Sequence, residues 1–344
     1  MEHCLKLASF KEIFKSAWIF YKSNWKTVVF LFLPLEIATL ACFIALDLIP
    51  ETDFFAATVG IVVFSLGGFV FPAFNKIITL DAPYLMERIA FGESIPKASV
   101  WYTSLVKRII PISLVLFLIG VANFGFISLV MFIAGVLFVL FSLLLKSFSA
   151  YSAIGIVLAI GVTVSLAYAA LRYIIKFFVG GRFSIYMYIF DKRLGLDAIV
   201  SSFLLTEGRE FGIFWRSVGI WLVTSIPFLL LVFPINATLI ARSFNDIYIQ
   251  AMVMHVQPVI ASPSTAVTIL LDVMTSIAGL ISVSFFVVLN YFLWKDVKAT
   301  AKAFEETKYQ KKRKTIRSLI GFGAVVFAAM IATSIIYGSM FGQW

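Results

Sequence analysis

The chain has 344 residues, 61% of them hydrophobic and 13% charged, with a formal net charge of +10 and a mean hydropathy of +1.01. A soluble globular domain is roughly 45–50% apolar and about 25% charged, so a chain this apolar could not cover its surface with polar groups, and its composition excludes the soluble classes. Two cysteines, Cys4 near the start and Cys42 inside the first apolar run, fall in different environments, and the histidines His3 and His255 are equally isolated, so neither a disulfide framework nor a metal-ligand spacing is expected.

Read in chain order, the first element is amphipathic. Over residues 9–25, Phe10, Ile13, Phe14, Ala17, Trp18 and Tyr21 recur at helical spacing, with Lys11, Lys15 and Lys22 on the other side. Ser9 and Glu12 have the spacing of a capping box. An apolar run, Thr27–Leu46, follows and reads as a retained span because no small-residue cleavage pattern accompanies it. Further spans are expected at Phe54–Phe74, Ile109 to about Phe132, Ala150–Leu171, Ile213–Ala241 and Ala266–Trp294, with a seventh at Ser318–Phe341.

The uncharged run Ile109–Leu145 is ambiguous. As one helix it would be about 55 Å long against a hydrocarbon core of ~30 Å. It is either one tilted, kinked helix ending at the membrane face or two short spans broken near Gly120, Asn123 and Gly125. A third pass within 109–171 would carry the basic cluster Arg172–Arg193 across the membrane, which favours two passes there. With that choice 26 of the 28 lysines and arginines fall on one side, Lys146 and Arg242 being the exceptions. The positive-inside rule then places the N-terminus in the cytoplasm of a cell membrane and the C-terminus outside. The positive charge is accounted for by anionic lipid, with no nucleic-acid partner.

The segment "GLDAIVSSFLLTEG", 195–208, is too short and polar to span. Leu196, Ile199, Val200, Phe203 and Leu204 form a helical stripe with Asp197, Ser201 and Ser202 behind it, and Gly208 is placed to stop the helix. It is predicted to lie at the cytoplasmic interface, stripe toward lipid or bundle. A similar segment over 94–108 opens with Ser94 and Pro96 and continues with Ile95, Ala98, Trp101, Tyr102 and Leu105. Each of the three segments leads into an odd-numbered span. The expected architecture is therefore an all-α polytopic bundle of about seven spans. Residues 1–303 form three repeats of interfacial helix plus transmembrane hairpin, 304–317 a basic cytoplasmic linker, and 318–344 an additional span.

"GGRFSIYMYIFDKRLGLDAIVSSFLLTEGREFGIFW", 180–215, resembles a recurrent segment of the bacterial glycerophosphoryl diester phosphodiesterase membrane-domain-like family, through Arg182, Phe183, Asp191, Asp197, Ala198, Ser202, Leu205, Thr206 and Gly208. "VVLNYFLWKDVKA", with Tyr291, is similar to the tyrosine-bearing end of the family's last common span. Ser201 and Glu207 stand where the family usually carries basic residues. The resemblance covers roughly residues 9–303 and implies a prokaryotic-like membrane bundle of uncharacterised role, corresponding to the membrane portion alone, without the catalytic domain some members carry.

Chemistry is sparse. No Walker-type loop, nucleophile elbow or dinucleotide fingerprint occurs in context, and neither enzymatic activity nor a cofactor is expected. "GFG", Gly321–Gly323, lies in a span and suits close helix packing. Charges inside spans are the sharpest functional pointers, since each costs several kcal/mol unless paired, protonated or hydrated. Glu36 and Asp272, with Asn123, Asn236 and Asn290, are candidates to line a polar cavity, though asparagine within spans more often joins helices. Pro34, Pro111, Pro227 and Pro234 could kink their spans. Lys311, Lys312, Arg313 and Lys314 are candidate anionic-lipid contacts. Two functional readings follow: a non-enzymatic, lipid-interacting membrane scaffold with membrane-protein partners, and a transporter of small solutes or lipids.

Overall fold

The computed structural model describes residues 7–48, 71–93, 98–147, 153–248, 265–301 and 306–341. These form helices α1 (Phe10–Leu48), α2 (Phe71–Ala90), α3 (Ala98–Ser147), α4 (Ala153–Gly181), α5 (Ser184–Asp191), α6 (Gly195–Thr206), α7 (Glu210–Leu231), α8 (Phe233–Tyr248), α9 (Thr265–Ala299) and α10 (Glu306–Phe341). No strand occurs among the described residues. Four helical segments there, Ile110–Ile133, Glu210–Leu231, Ala266–Ala299 and Glu306–Thr333, are long and apolar enough to cross a membrane. Phe10–Pro34 and Glu36–Ala45 make a fifth if the bent pair counts as one span. The expected span Phe54–Phe74 lies mostly outside the described residues, as do His3, Cys4 and His255 and the helix-start signal at Ser94 and Pro96; Ala150–Leu171 falls largely within α4.

The chain divides into two compact units. One comprises residues 8–101 and 216–293. Here the capping box of α1 forms as its spacing predicts: the Ser9 amide donates to Glu12 Oε2 (2.6 Å) and the Glu12 amide to Ser9 Oγ (3.3 Å). Just before it, the Arg216 guanidinium donates to the Ala8 carbonyl from Nε (2.7 Å) and Nη2 (2.5 Å), so Arg216 tethers the start of α1. The aromatic stripe of α1 faces α9. Phe14, Trp18 and Tyr21 each meet the Phe285 ring edge-on, with centroids 5.1–5.8 Å apart, and the Tyr21 hydroxyl lies 3.0 Å from Ser284 Oγ. Further along, α1 bends by about 40° at Pro34–Glu36, where proline supplies no amide and its ring crowds the preceding turn. The expected span Ile213–Ala241 is interrupted at Val232, between α7 and α8. Pro234 then sits in the first turn of α8, where its missing N–H is tolerated.

The other unit comprises residues 102–215 and 294–344, together with the N-terminal seven. Its longest element, α3, runs unbroken for 50 residues through Pro111, Gly120 and Gly125. Gly125 marks a crossing instead of a break. A Cβ built on it would meet the Leu319 carbonyl oxygen at 2.5 Å and the Gly323 Cα at 2.8 Å, and one on Gly323 would strike the Val121 carbonyl. The backbones of α3 and α10 therefore touch through two glycines, the small-residue packing expected of "GFG". Gly321, by contrast, faces open space. From Glu306 on, the basic stretch expected as a linker is itself helical and continuous with the last span, both belonging to α10; residues 304 and 305 lie outside the described residues.

Candidate functional site

The short apolar segment 195–206, α6, packs inside this second unit. Its stripe packs where the pattern predicts: Ile199, Val200 and Phe203 join Ala122, Phe177 and Ile316 in one core cluster, with Leu196 and Leu204 packed against it. Phe126 stacks on Phe177 (4.4 Å), which meets Phe203 edge-on (5.0 Å). The hydroxyls of the expected polar back do not face water, whereas Asp197 stays partly exposed. Ser201, Ser202 and Thr206 are fully buried, and α6 packs against α4, α5 and α10.

Burial is possible because each hydroxyl has a partner. Ser202 Oγ donates to the Gly180 carbonyl (2.6 Å) and accepts from the Phe183 amide (3.0 Å). One side chain thus joins the last turn of α4 to the first of α5, satisfying backbone groups that helix ends leave open. Ser201 Oγ accepts from Arg193 (2.8 Å), and Thr206 donates to the Ser202 carbonyl (3.1 Å). Ala198 is completely enclosed. α5 ends with Lys192 in the left-handed region (φ 55°), which lets the Arg193 amide return to the Met187 carbonyl (3.2 Å). Gly208, at φ +77°, makes the turn after α6 as expected of a stop signal.

Charged residues then tie the segment to α9 and α10. Asp191 pairs with Lys298 (2.7 Å), which also lies over the Trp294 ring. Asp197 accepts from the Tyr309 hydroxyl (2.8 Å) and lies 3.3 Å from Arg313 Nε. Glu207 lies 3.4 Å from Lys312. Arg209 donates to the Leu205 and Val297 carbonyls and to Thr300 Oγ1. Arg182, at the α4–α5 junction, is pushed below its ordinary range by burial, an effect partly offset by Tyr186. Burial pushes the Tyr186 phenol above its ordinary range, Arg182 opposing.

Magnitudes rank these contacts. The three ion pairs are partly exposed, and such pairs contribute about 0–1 kcal/mol each. Leaving a buried backbone group unpaired costs about 1–3 kcal/mol. The hydroxyl of Ser202 therefore holds the junction more firmly than any one of the ion pairs.

The four basic residues at 311–314 divide by helix face. Lys312 and Arg313 turn toward α6, as does Tyr309, whereas Lys311 and Lys314 line a groove of about 540 Å³ with Thr315, Ser318, Leu129, Leu319 and Phe322.

The residues named for a polar cavity are divided between the two units. Asn123 belongs to the α6 unit, and Glu36, Asp272, Asn236 and Asn290 to the other. Within that other unit Asn236 is exposed, and buried Asn290 donates to the Phe286 carbonyl of its own helix (2.8 Å). Glu36 is half-buried, and a Cβ built on Gly279 would lie 3.8 and 3.9 Å from its carboxylate oxygens and 4.0 Å from Phe228. Asp272 lies on the same face of α9 as Gly279, two turns or about 10 Å away. Among the described residues no group of three or more His, Cys, Asp or Glu could hold a metal ion.

Neither Arg209 nor the junction role of Ser202 is marked by the apolar periodicity of the sequence. Arg209 follows the αL glycine directly, a position from which a long side chain can reach back to the open carbonyls of the preceding helix, and that was the available signal. Compared with protein-family models, curated proteins and solved structures, the chain matches none.

Proposed function

We propose that this chain is a multi-pass protein of a prokaryotic-like cell membrane, similar to the membrane portion of the glycerophosphoryl diester phosphodiesterase membrane-domain-like family, and that it acts as a non-enzymatic, lipid-interacting scaffold. Its seven spans would place the N-terminus in the cytoplasm and the C-terminus outside, following the distribution of basic residues. One observation carries the functional part: the polar groups of the 182–209 segment are used to join helices. Ser202, Asp191, Asp197, Glu207 and Arg209 each bond or pair with another helix or its end. Groups used in this way rigidify a framework and are not free to turn over a substrate.

Transport is the second reading, and Glu36 favours it. A half-buried carboxylate opposite a glycine, beside a proline bend, is the kind of charged group found along solute pathways. Flux through vesicles containing the purified full chain separates the two. The scaffold reading expects solute efflux and phospholipid exchange between leaflets at the rate of protein-free vesicles. Flux above that level, abolished by Glu36→Gln, would overturn it in favour of transport.

A further inference from the structure

The groove between α3 and α10 combines charge and oil in an order that specifies a ligand. Lys311, Lys314, Thr315, Ser318 and Phe322 follow one another at i, i+3, i+4, i+7 and i+11, so they form one stripe of α10. Tyr309, Lys312, Arg313, Ile316 and Ile320 form a second stripe at the same spacing, directed to α6. Acids occupy the second stripe only: Glu207 faces Lys312 and Asp197 faces Arg313. Among the described residues, no acid pairs with Lys311 or Lys314, and both are exposed. The groove therefore carries two positive charges at one end, followed by Leu129, Leu319 and Phe322.

The hydroxyls refine this. Thr315 donates to the Lys311 carbonyl (3.1 Å) and Ser318 to the Lys314 carbonyl (3.0 Å). Their protons are committed, so toward the groove they offer lone pairs. The site thus has ammonium donors suited to a phosphate and hydroxyl oxygens suited to accept from a ligand's own hydroxyl. A volume of about 540 Å³ far exceeds a bare phosphate and falls in the ~300–1,000 Å³ range of sites for larger molecules.

We propose that this groove binds one anionic phospholipid with a hydroxylated head, its phosphate between Lys311 and Lys314 and the start of an acyl chain against Leu129, Leu319 and Phe322. The proposal rests on the membrane reading above and deepens it by naming the lipid class. It differs from general attraction of a basic segment to a negative surface, because two of the four adjacent charges are neutralised internally and the other two define a site.

Native mass spectrometry of the full chain in detergent tests it, with phosphatidylglycerol, phosphatidylcholine and inorganic phosphate as probes. One phosphatidylglycerol per chain should be retained in preference to phosphatidylcholine. Lys311→Gln with Lys314→Gln should weaken it roughly tenfold or more, given two lysines facing one anionic head. Lys11→Gln with Lys15→Gln, which removes equal charge from exposed positions on α1, should leave it unchanged. Leu129→Trp keeps both lysines but fills the apolar end, and should also expel the lipid. Equal retention of the two lipids, equal losses from the two lysine pairs, or full displacement by inorganic phosphate would each overturn the proposal. The flux assay is independent of this one: a transporter could hold the lipid, and a scaffold could lack it.

Discussion

The Ser202 hydroxyl lies 2.6 Å from the Gly180 carbonyl oxygen, and its other bond, from the Phe183 amide, makes it the joint between two helices to which it does not belong. Ser202→Ala leaves that amide and carbonyl buried without their partner, and should destabilise the chain by about 1–3 kcal/mol. Ser201→Ala, which loses only a bond to the half-buried Arg193 side chain, should cost less. Thermal unfolding in detergent, followed by circular dichroism, orders the two; an equal effect would remove the special standing of Ser202.

The glycine contact between α3 and α10 gives a sharper contrast within one motif. Gly323→Ala must drive the helices apart, since the new Cβ meets backbone and not a yielding side chain. A cost of about 1–3 kcal/mol or more is expected from such overpacking. Gly321→Ala meets nothing and should stabilise the helix, by up to about 1 kcal/mol. Disulfide trapping between cysteines placed on α3 and α10 would read the separation directly.

At Asp197 two effects can be parted. Asp197→Asn removes the charge opposite Arg313 but keeps an acceptor for the Tyr309 hydroxyl. With both charged side chains partly exposed, a change within ~1 kcal/mol is expected. Asp197→Ala loses the acceptor as well and should cost more. A double-mutant cycle with Tyr309→Phe isolates the hydrogen bond, at about 0.5–1.5 kcal/mol.

Alkaline pH addresses Tyr186. Its phenol is raised above the ordinary range by burial, so it stays protonated in the folded chain while the unfolded chain ionises near pH ~10. The unfolded state then binds fewer protons, and stability, fully present below pH ~10, falls as pH rises beyond it. Tyr186→Phe should flatten that fall by one group's share, up to about 1.4 kcal/mol per pH unit. Unfolding midpoints of wild type and variant across this range check the sign.

What could be read from the sequence was what is local in it. The capping box of Ser9 and Glu12, the stop at Gly208 and the stripe of α6 depend on residues within two turns of one another, and the structure reproduces them. Gly125 was open to two readings, because a glycine within an apolar run serves equally as a break or as a place of close approach. Only Gly323, distant in sequence, decides between them. Ser201 and Ser202 looked like a solvated back for the same reason: the groups that satisfy Ser202 lie about twenty residues earlier. The basic run 311–314 reads as one block in the sequence, although helical phase alone separates Lys311 and Lys314 from Lys312 and Arg313.

That α10 is one rod from Glu306 to Phe341, about 54 Å at ~1.5 Å per residue, makes its two stripes a matter of phase. The glycine crossing fixes the rotation of the rod at Gly323, and everything N-terminal to it inherits that angle. A single residue inserted at Gly321, where there is room, would turn the basic end by about 100°. Lys312 and Arg313 would swing away from their acids, and Lys311 and Lys314 away from their groove. An insertion of four would nearly restore the angle while moving the same charges about 6 Å along the axis. The chain therefore reads the length of one helix as the setting of a dial.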